Sequence, residues 1–144
     1  MIFDNPSGHS YVRSSENFDT LEVDILAALR VDTATFTVSC DNYRWTSGGV
    51  DILAGTFTAD DLLQDGIFGG WWLNPGGTIN LHQDGGQYID IYGDLHIFGG
   101  EMNIYGGGDE SYWGSFSEGS LEMSGGVLDF NNWGVQVYDN QTFT

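Results

Sequence analysis

The sequence predicts an all-β fold, a single-stranded right-handed β-solenoid with about three short strands in each coil. Three observations carry the prediction. Glycines recur seven apart, at 86, 93, 100 and 107, at 70 and 77, and at 119 and 126. Five glycines open one template (glycine, any residue, apolar, polar, apolar) in Gly77-TINL, Gly93-DLHI, Gly100-EMNI, Gly119-SLEM and Gly126-VLDF. The composition completes the case: 22 glycines, two prolines, 40% hydrophobic and 15% aromatic residues. That mixture is too apolar for a disordered chain and fits many short strands joined by tight turns. Glycine shows no three-residue period, which excludes collagen.

The elements follow from the alternation of side chains along a strand. In FDTLEVDIL (18–26), Leu21, Val23 and Ile25 share one side. In ATFTVS (34–39), Phe36 and Val38 do so, and SGGVDIL (47–53) echoes SGGVLDF (124–130). LAALR (26–30) and ADDLLQD (59–65) are short enough for single helical turns, the second opened by Asp60 and Asp61. In the template copies Ile79, Leu81, Leu95, Ile97, Met102, Ile104, Leu121, Met123, Leu128 and Phe130 face the core. Asn80, His96, Asn103, Glu122 and Asp129 face out. GGGDESYWGSFSEG (106–119) breaks the rhythm and reads as an outward loop.

A meander of hairpins would favour Asn-Gly or Asp-Gly turns and would not require a uniform interval. An antiparallel sandwich remains the competing arrangement. A solenoid explains the interval, because equivalent sides stack from coil to coil. Three sides of seven give a coil of 21, the step from the Gly-Gly at 48–49 to that at 69–70. The whole of 1–144 reads as one solenoid domain, with less regular coils over 1–68 and glycine-punctuated coils over 69–138.

Charge narrows the function. Asp and Glu total 21 against Arg13, Arg30 and Arg44, with no lysine, for a net charge of −18. Such a surface repels phosphate backbones, so no nucleic-acid partner is expected. It also lacks the basic clusters that hold anionic membranes, and no apolar run is long enough to insert into one. Cys40 stands alone and cannot form an intrachain disulfide. The opening MIFDNPSGHSYVR lacks the pattern of a secretory signal, so if the protein is secreted, a mature fragment or an excised piece of a longer chain is expected.

Carboxylates such as Asp90, Glu122 and Asp129 invite comparison with polysaccharide-cleaving β-helices. That chemistry needs a cation near the substrate and a basic residue, and no arginine or lysine follows Arg44. No catalytic residue is therefore expected. His9, His82 and His96 do not form a zinc spacing. No cofactor is expected, calcium being the one ion the acidic stretches 84–94 and 106–111 could attract, although they lack the nonapeptide register of a calcium ladder. Threonines in TATFT (33–37) and GTFT (55–58) alternate as on ice-binding faces, but later coils carry Asn, Asp and Glu there. Phosphate loops, dinucleotide fingerprints and nucleophile elbows are missing from the sequence. Trp71, Trp72 and Trp113 are the candidate ligand-binding residues, because exposed aromatic rings stack on sugars or anchor interfaces.

The run GGTINLHQDGGQYIDIYGDLHIFGGEMNIYGG (76–107) resembles the solenoid repeats of large secreted surface proteins of Bacteroidetes, adhesin-like chains exported through the type IX pathway. The resemblance implies an extracellular β-helical segment with a structural or adhesive role and no enzymatic activity. Its partners would be other copies stacked end to end, neighbouring repeats of a longer chain, or an extracellular glycan. The alternatives are a carbohydrate-binding or carbohydrate-active β-helix and a viral tail-fibre-like β-helix.

Overall fold

A computed structural model describes residues 2–3, 10–62, 66–67, 69–83, 88–106, 113–116, 120–131 and 134–137. These residues form a parallel β-solenoid, and every strand pairing among them is parallel. The chain begins with β1 (Ile2–Phe3) and β2 (Ser10–Tyr11), followed by the long β3 (Glu16–Ala59). Short strands follow: β4 (Gly66–Ile67), β5 (Gly70–Leu73), β6 (Gly77–Gln83) and β7 (Tyr88–Ile91). Then come β8 (Asp94–Ile97), β9 (Glu101–Gly106) and β10 (Trp113–Phe116). The last coil holds β11 (Leu121–Met123), β12 (Val127–Asp129) and β13 (Gly134–Val137).

Three strands make each of the later coils, and equivalent strands stack. The end of β3 carries β5, β8 and β11 on the first side and β6, β9 and β12 on the second. The third side is β4, β7, β10 and β13. β3 has 44 residues and is wound around the same axis rather than straight. Arg30 reaches Asp51, Ser39 reaches Asn17 and Asn42 reaches the Asp19 carbonyl, at separations of 21, 22 and 23 residues.

Glycine makes the corners. Gly69 (φ 74°) precedes β5, and Gly100 (φ 76°) precedes β9. A Cβ at Gly100 would meet the Asn74 carbonyl oxygen at 2.8 Å, in a backbone conformation that L side chains rarely adopt. Coil length is not constant at 21. Gly49 pairs with Gly70 across 21 residues, Gly70 with Asp94 across 24, and Leu95 with Leu121 across 26. The extra residues fall between strands, while the strands keep their register.

Two local expectations are corrected. LAALR lies inside β3 and is strand, because Leu29 and Arg30 pair with Ser10 and Tyr11 and Leu29 fills the core. Within 106–119, residues 113–116 form β10, hydrogen-bonded between β7 and β13, so that part belongs to the coil. Of 59–65, residues 63–65 lie outside the described residues, and no helix occurs among those described.

The inward positions stack as columns. Val50, Trp71 and Leu95 succeed one another on the first side, and Phe57, Ile79 and Met102 on the second, all at most 1% exposed. Tyr43, Phe57 and Trp71 meet edge to face at the centre, with centroids 5.5 to 5.7 Å apart. Leu121, Met123, Leu128 and Phe130 in the last coil are half-buried and pack on this core.

Two titratable groups sit in this interior. Burial pushes the Cys40 thiol up to about 12, aided by Asp60 and Asp41. Burial likewise raises the Tyr43 phenol, whose hydroxyl has no hydrogen-bond partner among the described residues. Unfolding returns them to ordinary values of 9.0 and 10.0. Above those values the unfolded chain releases protons that the folded chain keeps, so these two groups cost no stability below pH 9.0 and lower it as pH rises further. Tyr43→Phe removes the unpaired hydroxyl, which alone costs roughly 1–3 kcal/mol when buried. Its melting temperature, followed by circular dichroism, is expected to match or exceed the parent at neutral pH and to fall less steeply in alkali. A variant melting several degrees lower at neutral pH would mean that the hydroxyl is satisfied.

Candidate functional site

Side chains that alternate out of the first side form two columns. One runs Gly49, Gly70, Asp94, Ser120, and its neighbour runs Asp51, Trp72, His96, Glu122. Neighbouring coils stand about 4.8 Å apart, so outward side chains in a column touch.

The second column holds two groups of contacts, one around Asp51 and one around His96. Arg30 donates from Nε to Asp51 Oδ2 at 2.9 Å and from Nη1 to the Tyr11 hydroxyl at 3.3 Å. Its guanidinium lies 5.7 Å from the Tyr11 ring centroid, and that of Arg13 lies 4.7 Å from it. Further along, the Trp72 indole stacks on the His96 imidazole, 5.4 Å between centroids and 5° between planes. His96 Nδ1 is 2.9 Å from Glu122 Oε2. A carboxylate only accepts, so Nδ1 carries the hydrogen and Nε2 is the free ring nitrogen. Phe98 lies 6.2 Å from His96 and is 39% exposed.

The first column explains how Trp72 fits. A Cβ at Gly70 would fall within the indole of Trp72, whereas one at Gly49 would first collide with the Gly70 carbonyl oxygen and would also lie 2.8 Å from the indole Cζ3. The missing side chain at Gly70 gives the indole its seat. In the next coils Ser120 Oγ donates to Asp94 Oδ1 at 2.6 Å. The result is a patch of two carboxylates, an imidazole, a hydroxyl and two aromatic rings on β5, β8 and β11 and at their immediate ends, where Phe98 and Ser120 lie. Asp94 Oδ2, Glu122 Oε1 and His96 Nε2 have no partner among the described residues.

The candidate tryptophans divide. Trp71 is 1% exposed and belongs to the core, which corrects its reading as a ligand-binding residue. The strand phase starts at the left-handed Gly69, which places Trp71, two residues on, at the inward template position. Trp72 points outward and is half-buried, with one face covered by His96. The backbone of Trp113 lies in β10, paired with Tyr88 and Gly134, and its side chain lies outside the described residues.

The other expectations divide similarly. Asp90, Glu122 and Asp129 fall on three different strand stacks, so they form no acid–base pair on one side. His82 stacks on Tyr105 at 4.5 Å on the second side, apart from His96 on the first. On the second side Thr56 and Thr58 pair with Thr78 and Asn80. Asn80 donates to Thr58 at 3.4 Å and Asn103 to Asn80 at 3.1 Å, a ladder that runs along the axis. No group of three or more metal-ligating side chains occurs among the described residues. The acidic stretches considered for calcium include 84–87 and 107–111, which lie outside them. No helix among the described residues is long and apolar enough to cross a membrane.

The His96–Glu122 and Asp94–Ser120 pairs had not been singled out as sites. Their signal is present, since aligning Gly93-DLHI with Gly119-SLEM places Asp94 on Ser120 and His96 on Glu122. What the sequence does not display is that these two copies, 26 residues apart, are next-coil neighbours. The fold defines the class, a parallel β-solenoid. The chain matches no protein-family model, no curated protein and no solved structure.

The seat of Trp72 is testable by a double-mutant cycle. Gly70→Ala is expected to destabilise by about 1–3 kcal/mol through overpacking against the indole. In a Trp72→Ala background the same change is expected to cost almost nothing, because all three nearest obstacles are atoms of that ring. Equal costs in both backgrounds, measured by urea unfolding, would rule the seat out.

Proposed function

We propose that this chain is a non-enzymatic scaffold and adhesive segment of an extracellular surface protein or filament. It would extend and stiffen that protein and present an acidic polar face. One observation carries the reading: three strand stacks keep register into the last coil, where β11, β12 and β13 each pair on one side only among the described residues. Unpaired strand edges over half-buried Leu121, Met123, Leu128 and Phe130 offer main-chain hydrogen bonds and apolar surface to a further parallel coil. That coil would come from a neighbouring repeat or a second copy stacked end to end. Placement at the cell surface rests on the resemblance of residues 76–107 to secreted repeats.

Analytical ultracentrifugation tests the stacking. The chain is expected to show mass rising with concentration, and Leu128→Lys, which puts a charge at the exposed end of the inward column, to lower that association. A strict monomer at high concentration would remove end-to-end stacking of copies from the proposal.

A further inference from the structure

We propose that the patch formed by Trp72, Asp94, His96, Phe98, Ser120 and Glu122 binds a neutral oligosaccharide. The inference deepens the adhesive half of the reading above and rests on it. The two fail separately: a strict monomer can bind a glycan, and a filament can bind none.

The chemistry of the patch selects the ligand. Each carboxylate spends one oxygen inside the protein, Asp94 Oδ1 on the Ser120 hydroxyl and Glu122 Oε2 on His96. The remaining oxygens, Asp94 Oδ2 and Glu122 Oε1, are acceptors on neighbouring coils, and His96 Nε2 lies in the same column as Glu122. Several acceptors on a fixed grid call for a ligand with several hydroxyl donors. Beside them Phe98, 39% exposed, supplies an apolar surface against which the C–H face of a pyranose can pack. A sugar ring carries hydroxyls on its rim and C–H groups on its faces, the two kinds of contact offered here.

Rigidity favours binding. Stacking on Trp72 and the bond to Glu122 hold the imidazole, and Ser120 holds Asp94, so little rotamer freedom remains to be lost. Charge excludes acidic sugars: the net charge is −18, and no arginine or lysine follows Arg44. A cationic peptide would be drawn to acids all over the surface and would have no need of the aromatic ring at this position. The second side differs, because its outward Thr58, Asn80 and Asn103 are hydrogen-bonded to one another along the axis and it offers no carboxylate in that ladder.

The test uses the full chain against an array of neutral oligosaccharides, with hits followed by titration calorimetry at low and high salt. Retention of at least one neutral glycan is expected, with affinity insensitive to salt. Phe98→Ala and Glu122→Gln are each expected to weaken it about tenfold or more, and Asp129→Asn on the second side to leave it unchanged. Circular dichroism and melting temperature check that each variant is folded. A folded parent that retains no neutral glycan overturns the proposal, as does binding that both patch variants leave intact. Binding confined to polylysine and lost at high salt overturns it too, pointing instead to a cationic partner.

Discussion

Parallel main-chain pairing between successive coils is the constraint on which everything else depends. Each coil is too small to bury its own apolar face, and Val50, Trp71 and Leu95 are covered only because each lies over its equivalent in the next coil. The pairing also sets the fate of the outward side chains. A residue that faces water in one coil must stand about 4.8 Å from the outward residue of the next. Outward positions are therefore never independent. They stack, hydrogen-bond or repel as columns, and in a chain of net charge −18 an unbroken column of carboxylates would be costly.

The columns avoid that cost in different ways. On the first side Asp51 is met by Arg30, and Glu122 by the imidazole of His96. Asp94 faces the hydroxyl of Ser120 instead of another acid. On the second side Thr58, Asn80 and Asn103 pass hydrogen bonds along the axis without any charge. Each of these bonds joins a donor to an acceptor one coil away, and that requires the register to be kept. Seen this way, the glycine corners serve the surface as much as the core, because a corner that slipped by one residue would exchange the inward and outward sets of the following strand.

Much of this was legible in the sequence. The seven-residue glycine interval and the template gave the strands, their three-sided arrangement and the inward set from Ile79 to Ile104, all buried. The burial of Trp71 is not legible in the sequence because Gly69 and Gly70 are adjacent, and only the positive φ of Gly69 shows which of them turns the corner. LAALR was misread because a short apolar run fits a helical turn and a strand equally well, and tertiary pairing with Ser10 and Tyr11 decides. The patch was not legible as a patch. Its residues come from coils whose steps of 24 and 26 depart from the interval of 21, so no fixed period places Trp72, His96 and Glu122 in one column.

That variation in step locates where such a solenoid can acquire a binding surface. Strands cannot change length without disturbing neighbours on both sides, but the segments between them have absorbed the additional residues with register intact. Once register is safe, the outward position of any one coil is free to change so long as its column tolerates the neighbour. The first side uses that freedom at Gly70, where the side chain is omitted and the Trp72 indole fills the space. The imidazole, the carboxylates and the exposed phenyl ring are then ordered around that indole coil by coil. A polar, aromatic patch thus arises on a repetitive scaffold from strand residues and the residues that directly adjoin them, Phe98 after β8 and Ser120 before β11.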